Sequence, residues 1–300
     1  MKRIVEPKEV TYETLKKYIT QLKERYTFLK VATCGKSVMG KELYTLCIGE
    51  GARKIIYVGA THAMEWITTV FLLDFCENVL KSYEENGNLS GYNVREIFKE
   101  ITLVVIPSLN PDGTDIAIGG IAGCENIKEK IYDICKFDFS QWNANANGVD
   151  LNHNFNADWY ALRNFEEKKG INKPSPRRYG GKYPESEPET KAIVNFLRQV
   201  SFDRLYSFHS QGEEIFYHYK ESTPEKSLAI AKALAGVSGY NLVLNEGHYS
   251  SGGLKDWFIE EFRKPAFTIE LGKGVNPLPL KDYPQIYKSA EQLAVLGLIL

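Results

Sequence analysis

Two residues that commonly bind metal ions, His62 and Glu65, lie three positions apart in the segment "THAMEW". At that spacing on a helix start, an imidazole and a carboxylate can face the same point in space. A catalytic zinc ion needs three protein ligands, and His209 in "SFHSQG" offers a third, in a set that suits Zn²⁺. These residues are interpreted either as a zinc site or as a polar helix start with an acidic residue in its first turn.

The elements that position these residues are short apolar segments, typical of buried strands, with helical patterns between them. The strand candidates are 42–50, 54–59, 101–109, 203–210 and 264–272, and the helical patterns are 11–26, 65–86, 187–200, 223–238 and 281–300. This alternation predicts one α/β domain over residues 1–300, with a central mixed, largely parallel twisted sheet covered by helices on both faces. Residues 114–185 show little periodicity and predict a loop-rich segment.

Polar residues follow the ends of four predicted strands. His62 follows one strand, "NPDG" at 110–113 the next and His209 the third, and Glu270 lies near the end of the fourth. In open α/β sheets, ligands bind outside the carboxyl ends of the strands. The four signals together therefore predict a single crevice.

Composition and charge argue against several classes of function. The net charge is −1, which gives no general electrostatic reason to bind nucleic acid or an anionic membrane. No apolar segment reaches the ~18 residues of a membrane helix, and the N-terminus has no signal-peptide pattern. The five cysteines form no CxxC pair. We therefore expect a cytoplasmic protein whose mature chain begins near Met1.

The order of the motifs resembles the zinc carboxypeptidase family, the M14 metallopeptidases. The matching segments are "GATHAMEWIT", "SLNPDG", "GVDLNHNF", "RRYGGKYPESEPET", "SFHSQG", "SSGGLKDW" and "FTIELG". The resemblance implies that family's α/β fold, one Zn²⁺ per chain and hydrolysis of an amide bond in peptides. The strings "WNANANGVDLN" and "HSQGEEI" look most like the bacterial branch that cleaves γ-D-glutamyl–meso-diaminopimelate bonds in cell-wall peptides.

The resemblance also implies a role for individual residues. The zinc ligands it implies are His62, Glu65 and His209. Asp150 accepts a hydrogen bond from the first of these ligands and orients its ring. Glu270 is the general base that takes a proton from the zinc-bound water as it attacks the scissile carbonyl. The Ser210–Gln211 bond matches a position where the family has a cis peptide.

Two departures from the family pattern concern positive charge. The Asn-Arg pair that holds a substrate's C-terminal carboxylate is replaced by Asn152 and His153, so the charge there depends on pH. The arginine that stabilises the oxyanion has no counterpart in residues 114–152, and Asn143 is the candidate donor in its place. The alternatives are a nearby lysine, a slow enzyme, or a protein that is not an enzyme.

Two further departures concern the substrate side chain and its cover. His248 occupies the position of a mobile tyrosine that closes over the substrate, and Tyr249 lies beside it. Lys255 occupies the position that selects the side chain, and a lysine favours an anionic group; the alternative is a surface lysine at a helix start. The side-chain carboxylate of diaminopimelate suits Lys255, and its ammonium suits Glu213 or Glu214.

Three functions are compatible with the sequence. The first is zinc-dependent hydrolysis of small murein-derived γ-D-glutamyl-diaminopimelate peptides. The second is release of C-terminal amino acids by an ordinary metallocarboxypeptidase. The third is peptide binding without catalysis, for which the missing oxyanion arginine is the support. The complete ligand set and Glu270 argue against the third function, because a pseudoenzyme has no chemical reason to retain them.

Overall fold

The fold is built on a central β-sheet, seen in a computed structural model that describes residues 2–243 and 252–300. The strands in these residues are β1 (Lys30–Lys36), β2 (Glu42–Ile48), β3 (Arg53–Val58), β4 (Asn88–Leu89), β5 (Tyr92–Asn93), β6 (Ile101–Ile106), β7 (Arg204–His209), β8 (Glu214–Phe216), β9 (Asn241–Val243) and β10 (Ala266–Glu270). Eight strands form one sheet in the order β1-β2-β6-β3-β7-β10-β8-β9, and β4 and β5 form a separate hairpin.

The middle of the sheet is parallel, and antiparallel strands flank it. Strand β3 pairs in parallel with β6 and β7, and β7 pairs in parallel with β10. Strand β2 is antiparallel to β1 and β6, and β8 is antiparallel to β10. Every residue of β6 and β7 is buried, as expected for strands covered on both faces. The prediction of a mixed, largely parallel sheet is confirmed.

Helices pack against both faces of this sheet. The helices of the described residues are α1 (Tyr12–Arg25), α2 (Ile67–Glu84), α3 (Val94–Glu100), α4 (Pro111–Gly119), α5 (Lys128–Cys135), α6 (Trp159–Lys168), α7 (Pro188–Gln199), α8 (Lys226–Ser238), α9 (Leu254–Phe262) and α10 (Tyr283–Ile299). Ile55 and Tyr57 of β3 face a core shared with α2 and α10. Ile56 and Val58 face a second core shared with α7 and α9. None of the described helices combines the length and hydropathy needed to cross a bilayer.

The prediction of a loop-rich segment over 114–185 is partly wrong, because two complete helices, α5 and α6, lie inside it. Helix α6 buries Trp159, Leu162, Arg163 and Glu166, which have the i, i+3, i+4, i+7 spacing of a helix face. Two of the four are charged, so an apolar periodicity could not reveal the helix. The rest of the segment is largely irregular, and it carries several residues of the candidate site.

Leucines at buried and exposed positions of the helices test this packing. Leu80 of α2 is fully buried in the core beneath the sheet, so Leu80→Ala is expected to lower the free energy of unfolding by about 2–5 kcal/mol. Leu228 of α8 is 37% exposed, so Leu228→Ala is expected to change it by less than about 0.5 kcal/mol. Urea unfolding followed by circular dichroism measures both, and equal effects of the two variants would contradict the described core.

Candidate active site

The carboxyl ends of three parallel strands bring His62, His209 and Glu270 to one edge of the sheet. Val58, the last residue of β3, lies opposite Ser207 of β7, and Glu270 of β10 lies opposite His209. After β3 the chain enters a short 3₁₀ turn over Ala63–Glu65, and α2 follows at once. The turn places Glu65 close to His62. The predicted convergence of these residues at the strand ends is therefore confirmed.

Side-chain atoms of His62, Glu65 and His209 converge on one point. His62 Nδ1 lies 2.9 Å from Glu65 Oε1 and 3.2 Å from His209 Nδ1. His209 Nδ1 lies 2.9 Å from Glu65 Oε2. All three ligand atoms lie within 4.8 Å of one another, an arrangement that could hold a metal ion.

The other ring nitrogens of the two histidines have partners outside this cluster. His62 Nε2 lies 3.1 Å from Asp150 Oδ1, and His209 Nε2 lies 3.1 Å from Ser207 Oγ. Because a carboxylate only accepts hydrogen bonds, His62 holds a proton on Nε2, and in the neutral ring Nδ1 presents its lone pair to the cluster. Ser207 was not predicted from the sequence, although a residue two before His209 on a strand projects to the same face.

The electrostatics of this cluster favour a cation. Burial disfavours a charge on His62, but Glu65 and Asp150 outweigh it and raise the pKa of His62 well above its ordinary value. Burial likewise disfavours an ionised Glu65, but His62 and His209 hold the pKa of Glu65 below its ordinary value. Two imidazole nitrogens and a carboxylate are donors that Zn²⁺ accepts. The residues present therefore fit a zinc ion.

Glu270 stands beside this cluster as a further carboxyl group. No side-chain hydrogen bond or ion pair of Glu270 is found within residues 2–243 and 252–300. Burial raises the pKa of Glu270 well above its ordinary value, and the nearby Glu65 and Glu214 raise it further against the opposing effect of His62. A carboxyl group with a raised pKa at the edge of a metal site is suited to take up and return a proton.

Asn143 reaches the same turn from the loop that follows α5. Ala63 N donates to the Asn143 backbone carbonyl (3.1 Å), and Met64 N donates to Asn143 Oδ1 (3.4 Å). The side-chain amide thus uses its oxygen internally and keeps Nδ2 as a donor. No protein acceptor for Nδ2 is found in the described chain, although Asn143 is only 6% exposed.

The "NPDG" motif fixes the Asn143 loop to the turn that carries His62. Asn110 caps the N-terminus of α4, where its Oδ1 accepts from Gly113 N (3.0 Å). Its Nδ2 donates to the carbonyls of Thr61 (3.3 Å) and Ala144 (3.2 Å). A Cβ at position 113 would lie 2.3 Å from the Ala144 carbonyl oxygen, so only glycine fits there. The motif therefore positions the site and supplies no group to it.

Asn152 and His153 follow Asp150 and lie against the start of α9. Asn152 Oδ1 accepts from Leu254 N (3.2 Å). His153 Nδ1 lies 2.7 Å from Glu166 Oε1. The structure thus places both residues next to the residue that orients His62.

The remaining substrate candidates have different surroundings. Glu214 lies opposite Glu270 in the pairing of β8 with β10, whereas Glu213 forms an ion pair with Lys273 (2.8 Å). His248 and Tyr249 lie outside the described residues. The Ser210–Gln211 peptide is cis, as predicted.

Lys255 lies at the start of α9 but is only 4% exposed. Its Nζ donates to the His218 carbonyl (2.8 Å) and to Asp256 Oδ1 (2.5 Å). The alternative of a surface lysine is therefore wrong, because the first turn of α9 faces the interior. Lys255 and Asp256 form a buried pair of opposite charges.

Comparisons with known proteins agree with this geometry. The sequence profile of the family described as zinc carboxypeptidase matches residues 15–293. A gamma-D-glutamyl-L-diamino acid endopeptidase 1 of Lysinibacillus sphaericus is 34% identical over 291 residues, which are 96% of this chain and 72% of that protein.

Solved structures show the same fold at lower sequence identity. Bovine thrombin-activatable fibrinolysis inhibitor superimposes with a TM-score of 0.75 and 23% identity, over 97% of this chain and 96% of that one. Murein-tripeptide amidase MpaA of Escherichia coli O157 superimposes with a TM-score of 0.53 and 21% identity, over 89% and 91%.

Removal of one ligand tests the metal site. Loss of a group that only orients a metal ligand weakens metal binding by about 10–100-fold. We expect His209→Ala to weaken zinc binding by more than this, because it removes a direct ligand and leaves only two. His218→Ala is the matched control, since His218 is exposed and lies outside the cluster. Elemental analysis after dialysis, with titration of zinc into metal-free protein, measures both variants. Equal zinc content in the two would contradict the assignment.

Proposed function

The chain belongs to the zinc carboxypeptidase family, and on that premise we propose that it hydrolyses the γ-D-glutamyl–diaminopimelate bond of small murein-derived peptides. The observation that supports hydrolysis is the convergence of His62, Glu65 and His209 at strand ends beside the carboxyl group of Glu270. The observation that supports this substrate is the 34% identity, over 96% of the chain, to a gamma-D-glutamyl-L-diamino acid endopeptidase.

We propose that one Zn²⁺ per chain is held by His62, Glu65 and His209. When bound, zinc polarises the scissile carbonyl and makes water more acidic. Asp150 and Ser207 fix the two imidazole rings through Nε2, so that both Nδ1 atoms stay directed at the ligand point. The chain thus holds the donors in place before any metal arrives.

Glu270 is proposed to move the proton. Its carboxylate takes the proton from the attacking water and gives it to the leaving amine nitrogen. Asn143 Nδ2 is proposed to donate a hydrogen bond to the carbonyl oxygen as negative charge develops there. Because this amide is uncharged, it would offer the developing charge a hydrogen bond without a positive charge.

Recognition of the substrate is proposed to come from three groups of residues: Asn152 with His153, Lys255 with Asp256, and Glu214 with Glu213. Asn152 and His153 are proposed to hold the substrate's α-carboxylate. The buried pair of Lys255 and Asp256 combines a cation with an anion, and the side chain of diaminopimelate ends in the opposite pair, a carboxylate and an ammonium.

Glu214, beside Glu270, is the second candidate for the ammonium, and Glu213 is the weaker one because Lys273 already compensates its charge. A role for His248 and Tyr249 in closing over the substrate stays a prediction. We also propose a cytoplasmic location, in which the five free cysteines are stable.

The substrate assignment is tested with L-Ala-γ-D-Glu-meso-diaminopimelate. We expect the zinc-loaded protein to release diaminopimelate, a chelator to stop the release, and added zinc to restore it. The same tripeptide with lysine in place of diaminopimelate is the matched control, and we expect slower release because it lacks the side-chain carboxylate. Chromatography of the products measures both. If the zinc-loaded protein does not hydrolyse the tripeptide but releases C-terminal residues from ordinary peptides, it is a carboxypeptidase instead.

The role of Glu270 is tested by Glu270→Gln. This change keeps the size of the side chain and removes the base, so we expect kcat/KM for the tripeptide to fall about 10²–10⁴-fold while bound zinc is retained. Glu129→Gln, at an exposed position of α5, is the control and should leave kcat/KM unchanged. A Glu270→Gln variant with zinc bound and activity within a few-fold of wild type would rule out this base.

A further inference from the structure

Helix α6 places a buried charged group behind His153. Glu166 is 1% exposed, and its Oε1 lies 2.7 Å from His153 Nδ1. Its Oε2 accepts from Arg163 Nη1 and from Gly180 N. Arg163 is itself 7% exposed and also donates to the Ile171 carbonyl (3.0 Å). The carboxylate of Glu166 is thus held by hydrogen bonds at both of its oxygens.

These contacts decide which nitrogen of His153 holds a proton. Nδ1 faces two acceptors, the carboxylate of Glu166 and the carbonyl of Arg178 at 3.2 Å. Neither can donate, so Nδ1 must be the donor. Nε2 of the neutral ring then has only a lone pair, which would repel a carboxylate, whereas Nε2 of the protonated ring is a charged donor. Recognition of a carboxylate by His153 therefore requires the protonated ring.

The charged groups around His153 act in opposite directions. Burial disfavours the protonated ring, and the imidazole of His62 opposes it as well. Asp150, on the same loop, and Glu166, on α6, favour it and together raise the pKa of His153 above its ordinary value. Arg163 on α6 forms an ion pair with the other oxygen of Glu166. Glu166 is the one of the two favouring carboxylates that bonds to His153 directly.

We propose that Glu166 is a positioning residue that holds His153 as an oriented cation, so that the imidazolium Nε2–H binds a carboxylate of the substrate in place of an arginine. The inference rests on the proposed function in one respect, since the carboxylate is taken to be the α-carboxylate next to the scissile bond. The link between Glu166 and His153 is independent of the substrate. A sequence position thirteen residues beyond His153 thereby determines specificity without touching the substrate.

An NMR titration tests the link without any turnover. Zinc-loaded protein labelled with ¹⁵N-histidine gives the pKa of His153, whose signal is assigned by its loss in His153→Arg. We expect Glu166→Gln to lower this pKa by about 1–2 pH units. Glu167→Gln, one position along on α6 and largely exposed, is the matched control and should leave it unchanged. An unchanged pKa in Glu166→Gln would overturn the proposal.

The pH dependence of KM tests the consequence for binding. For the tripeptide with a free α-carboxylate, we expect KM to rise as the pH passes the pKa of His153, because the cation is lost there. In Glu166→Gln this rise should begin about 1–2 pH units lower, with kcat unchanged on the acid side. A tripeptide in which the α-carboxylate of diaminopimelate is replaced by a carboxamide should show no rise of KM with pH in either protein. The same rise with the carboxamide would overturn the proposal.

His153→Arg completes the comparison, because a guanidinium stays charged at every pH used. We expect the rise of KM to disappear in His153→Arg, and to stay absent when Glu166→Gln is added. If KM still rises with pH in His153→Arg, another group is responsible for the rise and the proposal is wrong. If Glu166→Gln fails to fold, Glu166→Asp replaces it, since it keeps the charge and shortens the reach by one methylene.

Failure of the proposed function gives a different result from failure of this inference. If the zinc-loaded wild type does not hydrolyse the tripeptide, the substrate assignment is wrong, and the NMR titration is repeated with meso-diaminopimelate added as a carboxylate probe. If the probe raises the pKa of His153 in the wild type and does not raise it in Glu166→Gln, the inference is supported. No response of His153 to the probe in the wild type would overturn it.

Discussion

The buried carboxylate of Asp150 joins the metal-binding residues to those proposed to bind substrate. Its Oδ1 accepts from His62 Nε2 and from Asn152 N, and its Oδ2 accepts from Arg178 N. Burial alone would favour the neutral acid, but His153 and His62 hold the pKa of Asp150 far below its ordinary value. Because one carboxylate orients the ligand ring and anchors the loop that carries Asn152, the two halves of the site cannot move independently.

The sign of the charge in this crevice explains why a cation belongs there. Glu65, Asp150 and Glu270 bring three carboxyl groups to the strand ends, and the two imidazoles His62 and His209 have Nε2 engaged elsewhere. Lone pairs of His62 Nδ1, Glu65 Oε1 and His209 Nδ1 lie about 3 Å apart, so a positive charge between them is favourable. A proton on His62 or a divalent ion would each supply that charge. Asn143 adds no charge.

Most of the longer strands and helices with a sustained apolar pattern were predicted. Five strand candidates correspond to β2, β3, β6, β7 and β10, and five helical patterns correspond to α1, α2, α7, α8 and α10. Strands β1, β8 and β9 were missed because they are short or largely exposed and lack a continuous apolar run. Helix α6 was missed because charged residues lie on its buried face, as Arg163 shows. Helices α3, α4 and α5 were missed because they are short, with 7, 9 and 8 residues. Only the start of α9, at Lys255, was considered as an alternative.

The sequence indicated which residues of the site meet but not which groups contact them. His62, Glu65, His209 and Glu270 could be predicted to meet, because the ends of parallel strands lie together whatever the loops do. The partners of these residues depend on packing between distant segments. Ser207 precedes His209 on a strand that reads as apolar, and Glu166 reaches His153 only through the fold of α6. Motif order indicated the residues that meet at the strand ends, whereas the groups that contact them come from tertiary packing.

The network behind His153 shows how such tuning can replace an arginine. A lone protonated histidine would carry the same charge as the guanidinium but would lose it near neutral pH. Glu166 opposes that loss, yet by itself it would cancel the charge of the imidazolium. Arg163, paired with the other oxygen of Glu166, restores a net charge of one positive unit to the trio. The trio therefore has the same net charge as an arginine. It differs from an arginine in that the proposed binding of an anion depends on pH, because His153 must be protonated.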